Sequence, residues 1–320
     1  AYNLKLSSWV NSHNLFSLIG SLWLRVFPLG NLFFSINILS ALFGVGTVQV
    51  AYLIGIELTE NRVASASGAV ILMISHSLWW HSTIVEVYTL NAFFIVLIML
   101  HMVRYLKTKR VINLYYASAF WGLGCSNHVL MGLYLGAFIV LLVWLIIRRE
   151  SPGPLRILAA VGFFFLGFSL YLVIFFRDAA NGYNQLLAAD PALGKSLKLF
   201  LKSAAGRLQG ATGGGFRSYM FPKGLPKTEM KFWRFNYIFL IFYNFPFAVP
   251  LAIYGFIQLL RRPELRNFLI FYSVGLVAQI IWSANYLIWD MYAFSMPVYV
   301  MLAVPITFGV HRLIEIIRKT

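Results

Sequence analysis

VINLYYASAFWGLGCSNHVLMGLYLGAFIVLLVWLII, residues 111–147, runs for 37 positions without a Lys, Arg, Asp or Glu. About 20 apolar residues in a helix cross the hydrocarbon core of a bilayer, so this stretch is too long for one span and fits two. The turn between them falls at Gly124-Cys125-Ser126-Asn127-His128, where small and polar residues interrupt the run. Working outward, residues 32–56, 63–80, 87–103, 157–176, 235–260, 267–289 and 291–310 are further charge-free stretches. Together they predict about nine transmembrane helices. The composition agrees: at 60% hydrophobic and 11% charged, a chain of 320 residues carries more apolar surface than a water-soluble domain can bury. The chain reads as an all-α polytopic membrane protein.

Charge decides the orientation. One alternating set of short connections holds Arg62; Arg104, Lys107, Lys109 and Arg110; Arg148, Arg149 and Arg156; Arg261, Arg262 and Arg266; and Arg312, Arg318 and Lys319. The opposite short connections, near 81–86, 124–128 and 284–290, hold no Lys or Arg. Positive charge stays inside, so the basic set, and with it the C-terminus, is expected in the cytoplasm. The net charge of +16 therefore sorts by membrane side and does not imply nucleic acid. One further helix before Ala1 would place the start of the protein inside as well. The single cysteine, Cys125, excludes an intrachain disulfide.

Four regions follow: 1–31, the remainder of a first outer loop; 32–176, transmembrane helices with an outer loop around Glu86; 177–234, a long non-cytoplasmic loop; and 235–320, three C-terminal spans. Residues 13–28, HNLFSLIGSLWLRVFP, place Leu15, Ile19, Leu22 and Val26 at helical spacing. Their length and Arg25 suit an interfacial helix better than a span. In the long loop, KSLKLFLKSAAGR (195–207) is basic and amphipathic, suited to an anionic membrane surface. GATGGG (210–215) lacks the Gly-Lys-Ser/Thr of a phosphate loop and reads as a flexible linker.

Of ten acids, Glu86 and Asp290 stand at span boundaries without a basic neighbour in sequence. Ionisable groups near the membrane are costly and mark functional sites, although an acid at the interface also simply marks the water line. Aromatic and imidazole side chains crowd the same side: Trp79, Trp80, His81 and Tyr88 around Glu86, and Tyr286 and Tyr292 around Asp290. An interfacial aromatic belt accounts for the tryptophans. His76, His81 and His128 lack HxH or HxxxH spacing, so a satisfied or acid-paired imidazole is expected over a zinc ligand. Arg177, following a span, could hold a phosphate bidentately, pair with Asp178 or reach lipid phosphate.

HSLWWHSTIVEVYTLNAFF (76–94), with its Trp80 and Glu86-Val87-Tyr88-x-Leu90-Asn91 run, SALFGVGTVQVAYLI (40–54) and GLGCSNHVLMGLY (122–134) resemble the membrane region of protein O-mannosyltransferase-like proteins. So do YLVIFFRDAANGYNQLLAADP (171–191) and NYLIWDMYAFSMPVYV (285–300), the latter through Asp290, Tyr292, Phe294 and Pro297. The resemblance runs over nearly the whole chain. It implies a GT-C-like bundle and a hexosyltransferase that takes a sugar, mannose or a similar hexose, from a polyprenyl-phosphate donor. Transfer would occur on the non-cytoplasmic side of the membrane, with a bacterial inner membrane favoured, to a protein, glycan or lipid acceptor.

On that resemblance Glu86 is the second-loop acid that assists catalysis or orients the acceptor, while the main base is expected upstream of Ala1. Arg177 and His128 would bind donor phosphate, and His81, Tyr88, Asn91, Asn127, Asp290 and Tyr292 would line the substrate cleft. No metal ligand set is assigned, and metal dependence is left open. The family's His-Pro-Pro-Gly-Tyr-Pro element stands here as His13-Asn14-Leu15-Phe16-Ser17-Leu18, retaining only the His. That departure motivates an alternative, a catalytically drifted subunit that serves as a structural part of a larger membrane complex.

Overall fold

The computed structural model describes residues 6–7, 13–190, 196–211, 227–286 and 290–320. Among them are fourteen α-helices. In chain order, α1 (Asn14–Val26) precedes α2 (Leu32–Thr59), and α3 (Arg62–Met73) and α4 (His76–Thr83) form a pair bent by 61°. Next come α5 (Tyr88–Thr108), α6 (Val111–Asn127) and, after a 3-10 turn at Val129–Leu133, α7 (Tyr134–Ile147). The longest helix, α8 (Pro154–Ala189), precedes α9 (Leu197–Ala211). A second pair, α10 (Lys227–Asn244) and α11 (Val249–Leu260), is bent by 92°. The described chain ends with α12 (Arg266–Asn285), the single turn α13 (Met291–Phe294) and α14 (Met296–Ile317).

Six helices among the described residues are long and apolar enough to cross a membrane, and up to eight spans result if each bent pair counts as one. The sequence led us to expect nine. The difference is α6, whose 17 residues end in Gly-Cys-Ser-Asn and so form a short and partly polar segment. It nevertheless runs antiparallel along α5: His101 Nδ1 lies 3.1 Å from Asn113 Oδ1 at one end, and Asn127 Nδ2 donates to the Val87 carbonyl (3.4 Å) at the other.

Local sequence sets the helix ends. Asn31 and Asn61 cap α2 and α3, accepting from Phe33 N (2.9 Å) and Ala64 N (3.0 Å). Gly153, at φ 89°, turns the chain into Pro154 at the start of α8. Close crossings use glycine. A Cβ on Gly122 of α6 would strike the Phe164 carbonyl oxygen of α8, and one on Gly167 would strike that of Ala119 in return. Gly255 of α11 and Gly309 of α14 meet in the same way. With lipid outside and little hydrophobic drive between helices, such backbone contact is a main source of cohesion.

The two ends of the bundle differ. At one, Arg104 donates to Glu57 (2.7 Å), Lys109 pairs with Glu150 (3.5 Å), Asn267 donates to Glu150 (2.9 Å), and Arg312 pairs with Glu315. These are the residues that charge counting assigned to one side. At the other end α1, the α4–α5 connection, the α6 terminus and α13 converge.

A helix forms where an interfacial one is expected, but its stripe is split: Leu15 is buried against the bundle while Leu22 and Val26 are exposed. The boundary expected at 177 falls inside α8, which continues to Ala189, and the expected long loop contains α9 and the start of α10. Ser203 of α9 donates to the Ala179 carbonyl of α8 (2.8 Å), leaving Lys198 and Lys202 exposed. Most of residues 210–215 lies outside the described residues.

One contact ties the two bent pairs together. Buried Asn244 Oδ1 accepts from Ser77 N (2.8 Å), and its Nδ2 donates to Leu240 O (2.9 Å). Asn244→Leu is expected to lower stability by about 1–3 kcal/mol, since a buried N–H is left unpaired. The thermal midpoint in detergent measures it.

Candidate active site

Glu86 sits half-buried in the connection between α4 and α5, just ahead of Val87 at the α5 N-cap. Burial raises its pKa above the ordinary carboxylate value; the Val87 backbone N–H opposes the shift and the negative charge of nearby Asp290 adds to it. Asp290 is exposed and opens α13, its carbonyl accepting from Ala293 N (2.9 Å) and Phe294 N (3.3 Å). That single turn brings Tyr292 against His81 and Phe294 against Tyr88. Residues 204 positions apart in the chain thus form one acidic pair.

A ladder of rings crosses this end of the bundle. His13 stacks on His128 with centroids 5.0 Å apart, and His128 lies 5.6 Å from Tyr88. Tyr88 lies 5.1 Å from His81, which stacks on Tyr292 at 5.6 Å. Phe294 packs edge-on against both Tyr88 (5.6 Å) and His128 (5.8 Å).

Hydrogen bonds fix the imidazoles at the His13 end. Leu130 N donates to His128 Nδ1 (3.2 Å), so the ring proton resides on Nε2. His13 Nδ1 donates to the Asn127 carbonyl (3.0 Å), leaving its Nε2 as acceptor. Burial holds the pKa of His128 well below the imidazole value, and His13 lowers it further; burial also lowers that of His13, against the effect of the Asn127 carbonyl. Both rings are neutral at pH 7, one offering a donor and the other an acceptor. A cavity of about 290 Å³ opens beside them, lined by His13, Asn14, Asn127 and His128 and by Tyr171 and Phe175 of α8.

Arg177 lies two residues beyond Phe175. Its guanidinium donates to Asp178 (2.8 Å) and to the Leu6 carbonyl (2.5 Å), while Ser7 and Asn14 exchange hydrogen bonds at 3.1 and 2.8 Å. Of the readings open from the sequence, pairing with Asp178 is realised.

Of the residues singled out from sequence, Glu86, Asp290, His81, Tyr88, Asn127, His128 and Tyr292 come together directly, and Arg177 reaches them through the Leu6–Ser7–Asn14 contacts. Asn91 lies one turn below Tyr88, fully buried, with neither amide atom hydrogen-bonded among the described residues. His81 is also buried, and among the described residues neither ring nitrogen has a partner, so it is neither satisfied nor acid-paired as expected. Natural structures leave few buried polar groups unpaired, and those that remain mark bound water or ligand. Among the described residues no three His, Cys, Asp or Glu converge as metal ligands.

His81→Phe separates a structural ring from a functional one. Stability is expected to stay level or rise, because two unpaired nitrogens leave the interior. Turnover at the site should fall about 10–100-fold, the worth of one hydrogen bond to a charged partner. Parallel melting and activity measurements decide.

Sequence reading overlooked His13 as a site residue, although it was the one residue kept from the family's first-loop element. It also missed Ser40, whose hydroxyl accepts from Glu86 N at 3.5 Å.

Similarity to known proteins agrees with the fold and the motifs. Residues 12–152 match the family described as Protein O-mannosyl-transferase TMEM260 N-terminal domain. The resemblance drawn from the Glu86–Asn91 run and the stretches at 40–54 and 122–134 is thereby borne out. The chain is 24% identical over 270 residues to the Protein O-mannosyl-transferase tmem260 of Dictyostelium discoideum, covering 79% of this chain and 32% of that protein. It spans about a third of the length of that curated relative.

Among solved structures, ArnT from Cupriavidus metallidurans bound to undecaprenyl phosphate superposes with a TM-score of 0.62 at 12% identity, over 96% of this chain and 50% of that one. ArnT in the apo state gives 0.54 at 14% identity, over 95% and 51%. At such identities the likeness is one of fold: an all-helical membrane bundle like that of ArnT.

Proposed function

We propose that this chain carries a glycosyltransferase centre that moves a hexose from a polyprenyl-phosphate donor to an acceptor hydroxyl. The observation that carries the reading is the convergence of Glu86, Asp290, the His13–Tyr292 ring ladder and the Arg177 rim at one end of the bundle. The opposite end holds the basic residues of the short connections, which the positive-inside rule assigns to the cytoplasm. The reacting end is then non-cytoplasmic, and the C-terminus cytoplasmic.

The chemistry requires a base, a holder for phosphate charge and a rim that excludes water. Glu86 in its carboxylate form takes the acceptor hydroxyl proton or orients that hydroxyl. The acceptor oxygen forms its bond to the anomeric carbon as the bond from that carbon to the phosphate oxygen breaks. The departing polyprenyl phosphate keeps the electron pair, and Arg177 with the His128 Nε2–H lies on the side where that charge collects. The similarity to ArnT bound to undecaprenyl phosphate supports a donor of this kind. A silent structural subunit leaves without a role the buried His81, whose ring nitrogens have no partner among the described residues.

The test is reconstitution of the full-length protein in liposomes with radiolabelled polyprenyl-phosphate mannose and polyprenyl-phosphate glucose. Label transferred to an acceptor, with release of polyprenyl phosphate, is the expected result. Absence of both transfer and donor cleavage for each sugar would sink the enzymatic reading.

A further inference from the structure

Helix α2 serves as a ruler of depth. Near one end Glu57 pairs with Arg104 of α5 (2.7 Å), which marks the basic edge of the bundle. Farther along, a Cβ on Gly44 would strike Ser82 of α4, and Ser40 accepts from Glu86 N (3.5 Å). At about 1.5 Å per residue, α4 meets α2 about 20 Å from the Glu57 level, and Glu86 lies about 25 Å from it. A hydrocarbon core of about 30 Å ends a further 5–10 Å out. Helix α2 reaches that level and passes it, with Phe33 and Phe34 exposed in its first turn.

Two other helices stop short of it. With 12 residues each, about 18 Å, neither α3 nor α11 crosses the core alone. Helix α11 runs alongside α14: Phe245 lies 6.3 Å from Tyr299, Gly255 meets the Pro305 backbone, and Arg262 lies over Phe308. The chain bends by 61° between α3 and α4 and by 92° between α10 and α11, so α10 lies across the bundle. The Ser77–Asn244 hydrogen bond (2.8 Å) holds both corners at one height.

The side chains at that height suit headgroups and water, not hydrocarbon. Trp79 and Trp80 of α4 and Tyr243 of α10 are exposed, and such rings collect at the membrane interface. Lys231 and Arg234 of α10 are exposed as well. Charge is costly within hydrocarbon, and basic side chains there reach for the interface.

We propose that the protein thins the bilayer on one side only, the leaflet nearest Glu86 dipping by about 10 Å over α4 and α10. Phospholipid headgroups of that leaflet then pack against Trp79, Trp80, Lys231 and Arg234. A hydrophobic wall shorter than the bilayer is accommodated in this way, because compressing lipid costs little per Å. The consequence is access: Glu86 lies beneath the surface set by full-length helices such as α8, and the dip brings water to its level from the side. The inference rests on helix geometry and goes beyond the glycosyl-transfer reading.

Spin labels on cysteines introduced one at a time into the full-length protein, in phosphatidylcholine nanodiscs, test this. Depth is read from accessibility to oxygen and to a water-soluble nickel chelate, with the parent Cys125 signal subtracted. Trp79→Cys and Tyr243→Cys report on the two turned helices. Leu166→Cys on the unbroken α8 is the control: Leu166 is exposed, and adjacent Gly167 packs against Leu123, one turn before Asn127, which donates to the Val87 carbonyl beside Glu86. Its height thus matches that of α4. Both test labels are expected at the headgroup boundary, and the Leu166→Cys label about 10 Å deeper. Either test label at the depth of Leu166→Cys would overturn the proposal. A Leu166→Cys label as shallow as the other two would overturn it as well, since the thinning would not be confined to one side. Depth needs no turnover, so the result is independent of the catalytic assignment.

Discussion

Replacing Glu86 by Gln is expected to lower hexose transfer by about 10²–10⁴-fold, the usual contribution of a positioned acid or base. Gln keeps the size of the side chain and an oxygen able to accept from the Val87 N–H. It removes only the ability to take a proton. Stability should not fall. Burial raises the Glu86 pKa, so the fold favours its neutral form, and its contribution to stability is lost as pH rises through that raised value. At pH 7 a neutral Gln therefore leaves the thermal midpoint level or higher.

The pH profile sharpens the same test. If the carboxylate is the working form, transfer rises with pH through the Glu86 pKa, and the acid limb lies above the ordinary carboxylate range. The Asp290 charge contributes to that elevation. Asp290→Asn should then move the acid limb to lower pH, because one source of repulsion is gone. A limb that stays in place, or moves upward, would show that Glu86 is not the titrating group. Rates across pH 4–8 for both variants make the comparison.

Gly122→Leu is expected to destabilise the protein by about 1–3 kcal/mol or more, as an overpacked site does. The obstruction is backbone: the added Cβ meets the Phe164 carbonyl oxygen and lies 2.9 Å from Phe168 N, neither of which can rotate away. Separating α6 from α8 also moves the α6 terminus, which holds Asn127 and His128 in the ring ladder. Activity should fall along with the melting midpoint. Gly162→Ala on α8 serves as control, because nothing lies within 4 Å of its added Cβ. There the change should be neutral or stabilising by about 0.5–1 kcal/mol from helix propensity. Equal effects at the two glycines would refute close backbone contact between α6 and α8.

How much of this was legible beforehand varies with the physical cause. Spans follow from local composition, because the bilayer tests each stretch of about 20 residues almost independently. Residues 111–147 accordingly resolve into α6 and α7 turned at Asn127–His128, although α6 is too short and polar to count as a span. Bends do not follow in this way. The 61° and 92° breaks interrupt stretches that look continuous in hydropathy, and they depend on partners such as the Asn244–Ser77 contact across 167 positions. The length of α8 was misjudged for a related reason. A helix that leaves the membrane and remains helical loses its apolar signal at Phe176 but not its backbone hydrogen bonds.

The candidate site divides along the same line. By itself the sequence led to Glu86 and Asp290 on the side whose short connections carry no Lys or Arg, since an acid at a span boundary and a positive-inside bias are both properties of neighbouring residues. Only the tertiary structure decided that the charge of Asp290 acts on Glu86, that His13 stacks on His128, and that Glu229, Trp233 and Asn236 border Tyr292. Those contacts join helices far apart in the chain. Their existence depends on how glycine-lined helices cross and where helices break, which no local stretch encodes.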